Sequence, residues 1–190
     1  MHLAEGILPL AQATGWSALA APMVVWSIRA EQQAQRNDAS SSVVMAGVTS
    51  LLFAATMLPL PVPVVGATSH ICLTPVLALI VGIRRLLWPT FFVLLLQAVF
   101  FAHGGITTLG VNTLALGCLG PLVALGLWRL LQRVGAGEGL GLAIACGVGG
   151  FSVYVADALV LAVALADVAA MTDTFVGVLL GFAPIQIPLA

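Results

Sequence analysis

The chain opens Met1-His2, and a histidine in second place can grip one metal ion through neighbouring nitrogens. The donors are the α-amine of Met1, the His2 amide nitrogen once it is deprotonated, and the His2 imidazole Nδ1. The chelate rings are small and share a plane, which leaves one planar position for a further ligand. That arrangement suits Ni²⁺ or Cu²⁺ and accepts Co²⁺. It needs an unblocked N-terminus, and an initiator methionine is usually retained before a residue as bulky as histidine. Two more histidines follow, His70 and His103. His70 sits in a Pro/Gly-rich stretch and is a candidate for the remaining position, histidine being the commonest metal ligand. The alternatives are ordinary: a polar residue in second place, a helix-end polar group at 70, a turn residue at 103 beside Gly104-Gly105.

The elements that must position these residues are membrane helices. Hydrophobic residues make up 61% and charged residues 7% of the 190, and mean hydropathy is +1.16. A soluble domain carries about 25% charged residues. The apolar runs are continuous rather than alternating, which excludes a barrel and gives an all-α integral membrane protein. Lysine is absent and no basic patch exists, so nucleic acid is not a partner. Glu5 stands where a signal peptide would be basic, so the first residues are expected to remain on the chain. Cys72, Cys118 and Cys146 lack metal-site or redox spacing and are expected to be packing residues.

Apolar stretches are predicted over Thr14–Ile28, Ser42–Leu60, Ile71–Ile83, Leu86–Ala102, Thr113–Leu127, Leu140–Ala166 and from Thr174 onward. Crossing about 30 Å of hydrocarbon takes about 20 helical residues, so the short third and fifth stretches must borrow from flanking loops. The result is a bundle of six to seven spans. It forms a single transmembrane domain over residues 1–190, with 1–13 an extracytoplasmic metal-binding segment and 14–190 the bundle. Pro89 is expected to interrupt the fourth stretch, and residues 61–70 and 103–112 are expected to be loops. The arginines fall after alternate stretches: Arg29 and Arg36, Arg84 and Arg85, Arg129 and Arg133. By the positive-inside rule those loops are cytoplasmic. His2, His70 and His103 then all lie on the outer side.

Three motifs carry a family resemblance. Met1-His2-Leu3-Ala4-Glu5-Gly6-Ile7-Leu8-Pro9 resembles the N-terminal signature of the CbiM/NikM family, the substrate-binding membrane subunits of energy-coupling factor (ECF) transporters for cobalt and nickel. Gly66-Ala67-Thr68-Ser69-His70 resembles the family's loop segment. Gln97, then Phe101-Ala102-His103-Gly104-Gly105-Ile106-Thr107-Thr108-Leu109-Gly110-Val111-Asn112, resembles its third motif, with Gly120-Pro121 following. The resemblance implies that Co²⁺ or Ni²⁺ is the transported substrate, held near the outer face by Met1, His2 and His70. It implies that His103 is a further ligand or orients one by hydrogen bond, with Ser69 and Asn112 in similar supporting positions. Glu5 would fix the N-terminal segment rather than bind metal. It implies a multi-pass protein of a prokaryotic inner membrane. Its partners would be a transmembrane coupling subunit, cytoplasmic ATPase subunits and a small accessory membrane subunit. The sequence departs from the family at Ala67, where a hydroxyl residue is usual, and at Ile71, where cobalt-type members tend to have proline. Gly181–Ala190 resembles a stretch that continues in the family, so a short last helix or a fragment is expected. Planar nitrogen ligation favours Ni²⁺, and Ala102-His103-Gly104-Gly105 is similar to cobalt-type members, so the ion stays open between the two.

For the amine to reach a site shared with His70, the N-terminal segment must fold back into the bundle as a plug, burying Leu3, Ile7 and Leu8. The chain has no GxxxxGK[ST] run, so it is not an ATPase and its energy must come from other chains. Gly117, Gly120 and Gly126, with Gly141, Ala145 and Gly149, offer small-residue faces to partners or to the bundle itself. Asp157, an intramembrane carboxylate, raises an alternative: a proton-coupled secondary permease. That alternative leaves Met1-His2 unexplained. An intramembrane metalloenzyme would need paired helical histidines, which the chain lacks. Single cysteines introduced at positions 64 and 107 should label from outside intact cells while one at 36 is protected. The reverse pattern would sink the orientation.

Overall fold

The computed structural model describes residues 2–58, 60–62, 67–165 and 167–190. Helix α1 (Leu10–Asn37) follows Pro9 and runs on through Pro22. Its buried residues, Ala13, Ala20, Val24, Ser27 and Glu31, recur at helical spacing and form one narrow stripe. It starts four residues earlier than Thr14 because Pro9 suits a helix entrance, where a missing N–H costs nothing. α2 (Ser41–Thr56) likewise buries Ser41, Met45, Val48 and Leu52.

The Pro/Gly-rich stretch is not helical. Strands β1 (Leu60–Val62) and β2 (Ala67–Ser69) pair antiparallel, with Leu60 opposite Ser69. Residues 63–66 lie outside the described residues. After β2 the chain stays non-helical from 70 to 73 and then forms α3 (Thr74–Val81), only 8 residues long. The third apolar stretch is therefore no full helical span. Non-helical backbone inside a membrane protein is tolerated only where protein covers it. Here Ser69, His70 and Thr74 are all buried.

Gly82, at φ 79°, turns α3 into α4 (Ile83–Phe100). A left-handed φ favours glycine, which has no Cβ to clash. α4 is continuous through Pro89, contrary to the expected break. One residue earlier the Trp88 N–H donates to Ser27 Oγ of α1 at 3.0 Å. A neighbouring helix thus supplies polar partners where proline disturbs the ladder. α5 (Leu109–Leu114), a π-helical turn (Ala115–Leu119) and α6 (Gly120–Arg133) form one 25-residue rod. Asn112 therefore stands on a helix and not in a loop. Gly110 and Asn112 read as loop residues in sequence, but nothing between Leu109 and Thr113 forbids a helix. α7 (Glu138–Leu165) and α8 (Met171–Leu189) complete the bundle.

Among the described residues, four helical rods are long and apolar enough to cross a membrane: Ile83–Phe101, Leu109–Arg133, Glu138–Leu165 and Met171–Leu189. The protein is an integral membrane protein. α2 is apolar but shorter, and the last third of α1 is polar.

The small residues serve the bundle itself. A Cβ at Gly149 would meet Ala124 Cβ and Gly120 O at 2.8 Å, and one at Gly117 would meet Leu87 Cδ1 at 2.7 Å. Gly126 alone of the expected set of glycines on α6 faces open space. At the arginine end, Arg85 Nε pairs with Glu31 Oε2 at 2.6 Å and Arg85 also donates to Ser41, joining α4, α1 and α2. α4 starts beside this cluster and ends three residues before His103. Arginines and histidines therefore occupy opposite ends of the bundle.

A Cβ at Gly110 would lie 2.6 Å from Ser17 N and 2.7 Å from Ser17 Cα. These are backbone atoms, so α1 would have to move. Gly110→Ala should cost about 1–3 kcal/mol, read as a lowered melting temperature in detergent. Gly126→Ala should be neutral or slightly stabilising by the same measurement.

Candidate metal centre

Three segments from distant parts of the sequence meet at the histidine end. The first is 2–9, ahead of α1. Leu3 and Leu8 are buried in a cluster with Ala13, Val111, Tyr154, Leu161 and Phe182. The Leu3 backbone is clasped at both polar groups. Its N–H donates to Asn112 Oδ1 at 3.0 Å, and its C=O accepts from Asn112 Nδ2 at 3.1 Å and from Thr108 Oγ1 at 2.7 Å. The primary amide of asparagine carries a donor and an acceptor side by side, so it can meet both backbone groups at once. Further along, Gly6 N–H donates to Thr107 Oγ1 at 3.1 Å, and Glu5 Oε2 accepts from Thr107 N–H at 3.2 Å. Hydrogen bonding from Thr107 holds the Glu5 carboxyl below its usual range. Glu5 is exposed and ties the segment to the 105–108 turn.

The second segment is the turn after α4. Phe101 and His103 both donate backbone N–H to Gln97 O at 3.1 Å. Ala102 between them adopts φ 49°, a conformation that costs an alanine about 1–2 kcal/mol. Gly104 follows at φ 78°. The turn reverses the chain sharply and places His103 beside His2. Gly105 is required by close approach: a Cβ there would meet Glu5 Cα at 2.5 Å and Glu5 N at 2.7 Å.

The third segment is β2 and its continuation. Ser69 Oγ donates to Gln186 Oε1 of α8, so Ser69 anchors the strand and does not bond a histidine through this contact. His70 is 1% exposed, and its Nδ1 lies 3.2 Å from Ile71 O. A proton on Nδ1, shared with that carbonyl, leaves Nε2 as the nitrogen with the lone pair.

These segments bring the three histidines together. Ring centroids of His2 and His70 are 4.4 Å apart, those of His2 and His103 4.7 Å, and those of His70 and His103 6.2 Å. One nitrogen from each lies within 4.8 Å of the other two. Metal–imidazole bonds are about 2.0–2.1 Å, so nitrogens on opposite sides of one ion stand about 4.2 Å apart. Closing from 4.8 Å needs only small ring movements. Both ring nitrogens of His2 and Nε2 of His103 are buried without a hydrogen-bond partner among the described residues. Burial, and then repulsion from His70, keeps the His2 imidazole well below its ordinary pKa, and burial lowers His103 too. Both shifts favour the neutral imidazole, the form that binds metals. Met1 lies outside the described residues.

The cobalt uptake substrate-specific transmembrane region, CbiM, matches as a family model over residues 2–190. The chain belongs to the CbiM family. A cobalt transport protein CbiM of Sorangium cellulosum is 35% identical over 189 residues, spanning 100% of this chain and 84% of the relative. One of Geobacter sulfurreducens is 33% identical over 189 residues, and there the chain spans about half of the relative, 55%. A crystal structure described as a truncated transition metal transporter superposes with a TM-score of 0.84 at 22% identity, covering 99% of this chain and 92% of the other. A second, described as a transition metal transporter, gives 0.83 at 22% identity, covering 100% and 87%. The CbiM fold is thus common to both.

Sequence reasoning missed Thr107, Thr108 and Gln186 as the groups that hold the CbiM N-terminal segment and β2. Gln186 had a signal, a lone amide in an apolar helix. The threonines lay inside a quoted motif, but their partners are about a hundred residues away in sequence. Asn112→Ala should leave the Leu3 N–H unsatisfied and cost about 2–3 kcal/mol. In limited proteolysis the first residues should become cleavable while the helices persist. Unchanged protection would refute the clasp.

Proposed function

We propose that this chain is the substrate-binding membrane subunit of an ECF-type importer of Co²⁺ or Ni²⁺ in a prokaryotic inner membrane. The observation that carries the reading is the convergence of His2, His70 and His103 at the bundle end opposite every arginine. The cargo ion is held by the Met1 amine, the His2 amide and imidazole, and His70, with His103 as a further imidazole beside His2. The histidine end faces outward, since the arginines belong on the cytoplasmic side.

The chemistry follows from the donors. Neutral imidazole and amine nitrogens suit a borderline ion such as Co²⁺ or Ni²⁺ and discriminate against Mg²⁺ and Ca²⁺, which take oxygen. The clasp on Leu3 fixes the backbone one residue past His2, so His2 is held beside the other histidines before the ion arrives, and less entropy is lost on binding. The same segment closes the site from above, so release requires it to lift or the bundle to shift. The work for that step comes from partner chains: a transmembrane coupling subunit, cytoplasmic ATPase subunits and a small accessory membrane subunit.

The test is a pair of measurements. In calorimetric titration of the purified chain, one residue added ahead of Met1 should abolish tight Co²⁺ and Ni²⁺ binding, and His70→Ala should weaken it far more than His103→Ala. In liposomes the chain alone should bind metal yet transport little, even under a pH gradient, and uptake should return with the partner subunits and ATP. Full affinity in the extended variant would overturn the ligand set. Sustained accumulation driven by a pH gradient alone would overturn the importer reading in favour of a secondary permease.

A further inference from the structure

Asp157 is 1% exposed in the middle of the bundle, and neither carboxylate oxygen has a hydrogen-bond partner among the described residues. A carboxylate in so dry a place strongly favours a positive neighbour. Its position on α7 decides what that neighbour can be. Tyr154, Asp157 and Leu161 stand at i, i+3 and i+7, on one face of the helix. Tyr154 and Leu161 share a core cluster with Leu3 and Leu8, so the N-terminal segment lies over this face. Val153, one turn away, packs in the cluster that takes in Cys72. Cys72 is two residues past His70. Asp157 therefore sits between the residue that follows His2 and the residues that follow His70.

Side-chain cations are far off among the described residues. α7 begins next to the end of α6 that carries Arg129 and Arg133. Asp157 is nineteen residues, about 28 Å, from that start and eight residues, about 12 Å, from the histidine end. The remaining arginines, Arg29, Arg36, Arg84 and Arg85, share the distant end, and lysine is absent. A dication held by one deprotonated amide and otherwise neutral nitrogens keeps a positive charge that the donors do not cancel, and low dielectric makes that imbalance costly.

We propose that Asp157 is the buried counter-charge of the cargo ion, held beneath the histidine cluster to balance the dication it receives. This rests on the cluster being the cargo site. The carboxylate strengthens binding through charge, and it discriminates against monovalent ions, which need less compensation.

The full chain with its native N-terminus, stripped of metal by a chelator, is titrated calorimetrically with Co²⁺ and with Ni²⁺ as wild type, Asp157→Asn, Asp157→Glu and His70→Ala. Asp157→Asn should weaken both ions by about 10–100-fold, the range seen when a supporting group behind a metal site is removed. Asp157→Glu should recover part of the loss. The metal-free melting temperature of Asp157→Asn should equal or exceed that of wild type, because the buried carboxylate has no hydrogen-bond partner among the described residues to lose. Wild-type affinity in Asp157→Asn overturns the proposal. So does a metal-free variant that melts lower or fails to fold, which would make Asp157 a structural residue. Lost binding in His70→Ala with intact binding in Asp157→Asn sinks this inference alone. Intact binding in His70→Ala sinks the cargo site itself, and the counter-charge with it.

Discussion

The clasp between Asn112 and the Leu3 backbone is the interaction on which the histidine end depends. A chain terminus has every reason to fray, because ordering each residue costs about 1–2 kcal/mol of backbone entropy. One asparagine and one threonine satisfy the Leu3 N–H and C=O together, so Leu3 can be buried without stranding a polar group. Burial of Leu3 and Leu8 against Tyr154 and Phe182 then supplies the apolar drive. Remove the clasp and the apolar contacts would have to carry an unsatisfied peptide into the bundle.

A second constraint works on His70. A membrane helix of full length would put the residue before it at the water interface. α3 has 8 residues, and the segment before it is non-helical, so His70 is drawn into the protein and buried. The cost is non-helical backbone inside the protein, met by covering it: Ser69 bonds to Gln186 of α8, and Thr74 is fully buried. At the far end, Glu31, Arg85 and Ser41 bind α1, α4 and α2 in a compact polar knot. Each end of the bundle thus has its own polar fastening, and the apolar middle is packed by close approach of glycines such as Gly120 and Gly149.

The membership of the CbiM family, shown across residues 2–190, sets these features in a substrate-specific transmembrane protein of metal uptake. The geometry adds a physical reason for the repeated histidines. Each comes from a segment that reaches the site by a different device: a clasped terminus for His2, a shortened helix for His70, and a strained turn at Ala102 for His103.

Composition by itself determined that the protein is an α-helical membrane protein, because 61% apolar residues in continuous runs admit few other solutions in lipid. Arginine placement determined that the histidines would share one end, since charge cannot be scattered along spans. The Pro/Gly stretch announced non-helical backbone before His70, though not the β1–β2 pairing. Tertiary structure alone decided the rest. Whether Gly110 and Asn112 belong to a loop or a helix turns on contact with Ser17 and Leu3, which local propensity does not see. Whether Gly117, Gly120 and Gly149 face partners or the bundle turns on which helices neighbour them. The spacing of His2, His70 and His103 turns on contacts spanning a hundred residues, such as Thr108 to Leu3. Hydrophobic pattern encodes which face is buried. It does not encode which distant segment the buried face meets, because every apolar surface is an acceptable partner for every other until polar groups such as Asn112 and Thr108 choose among them.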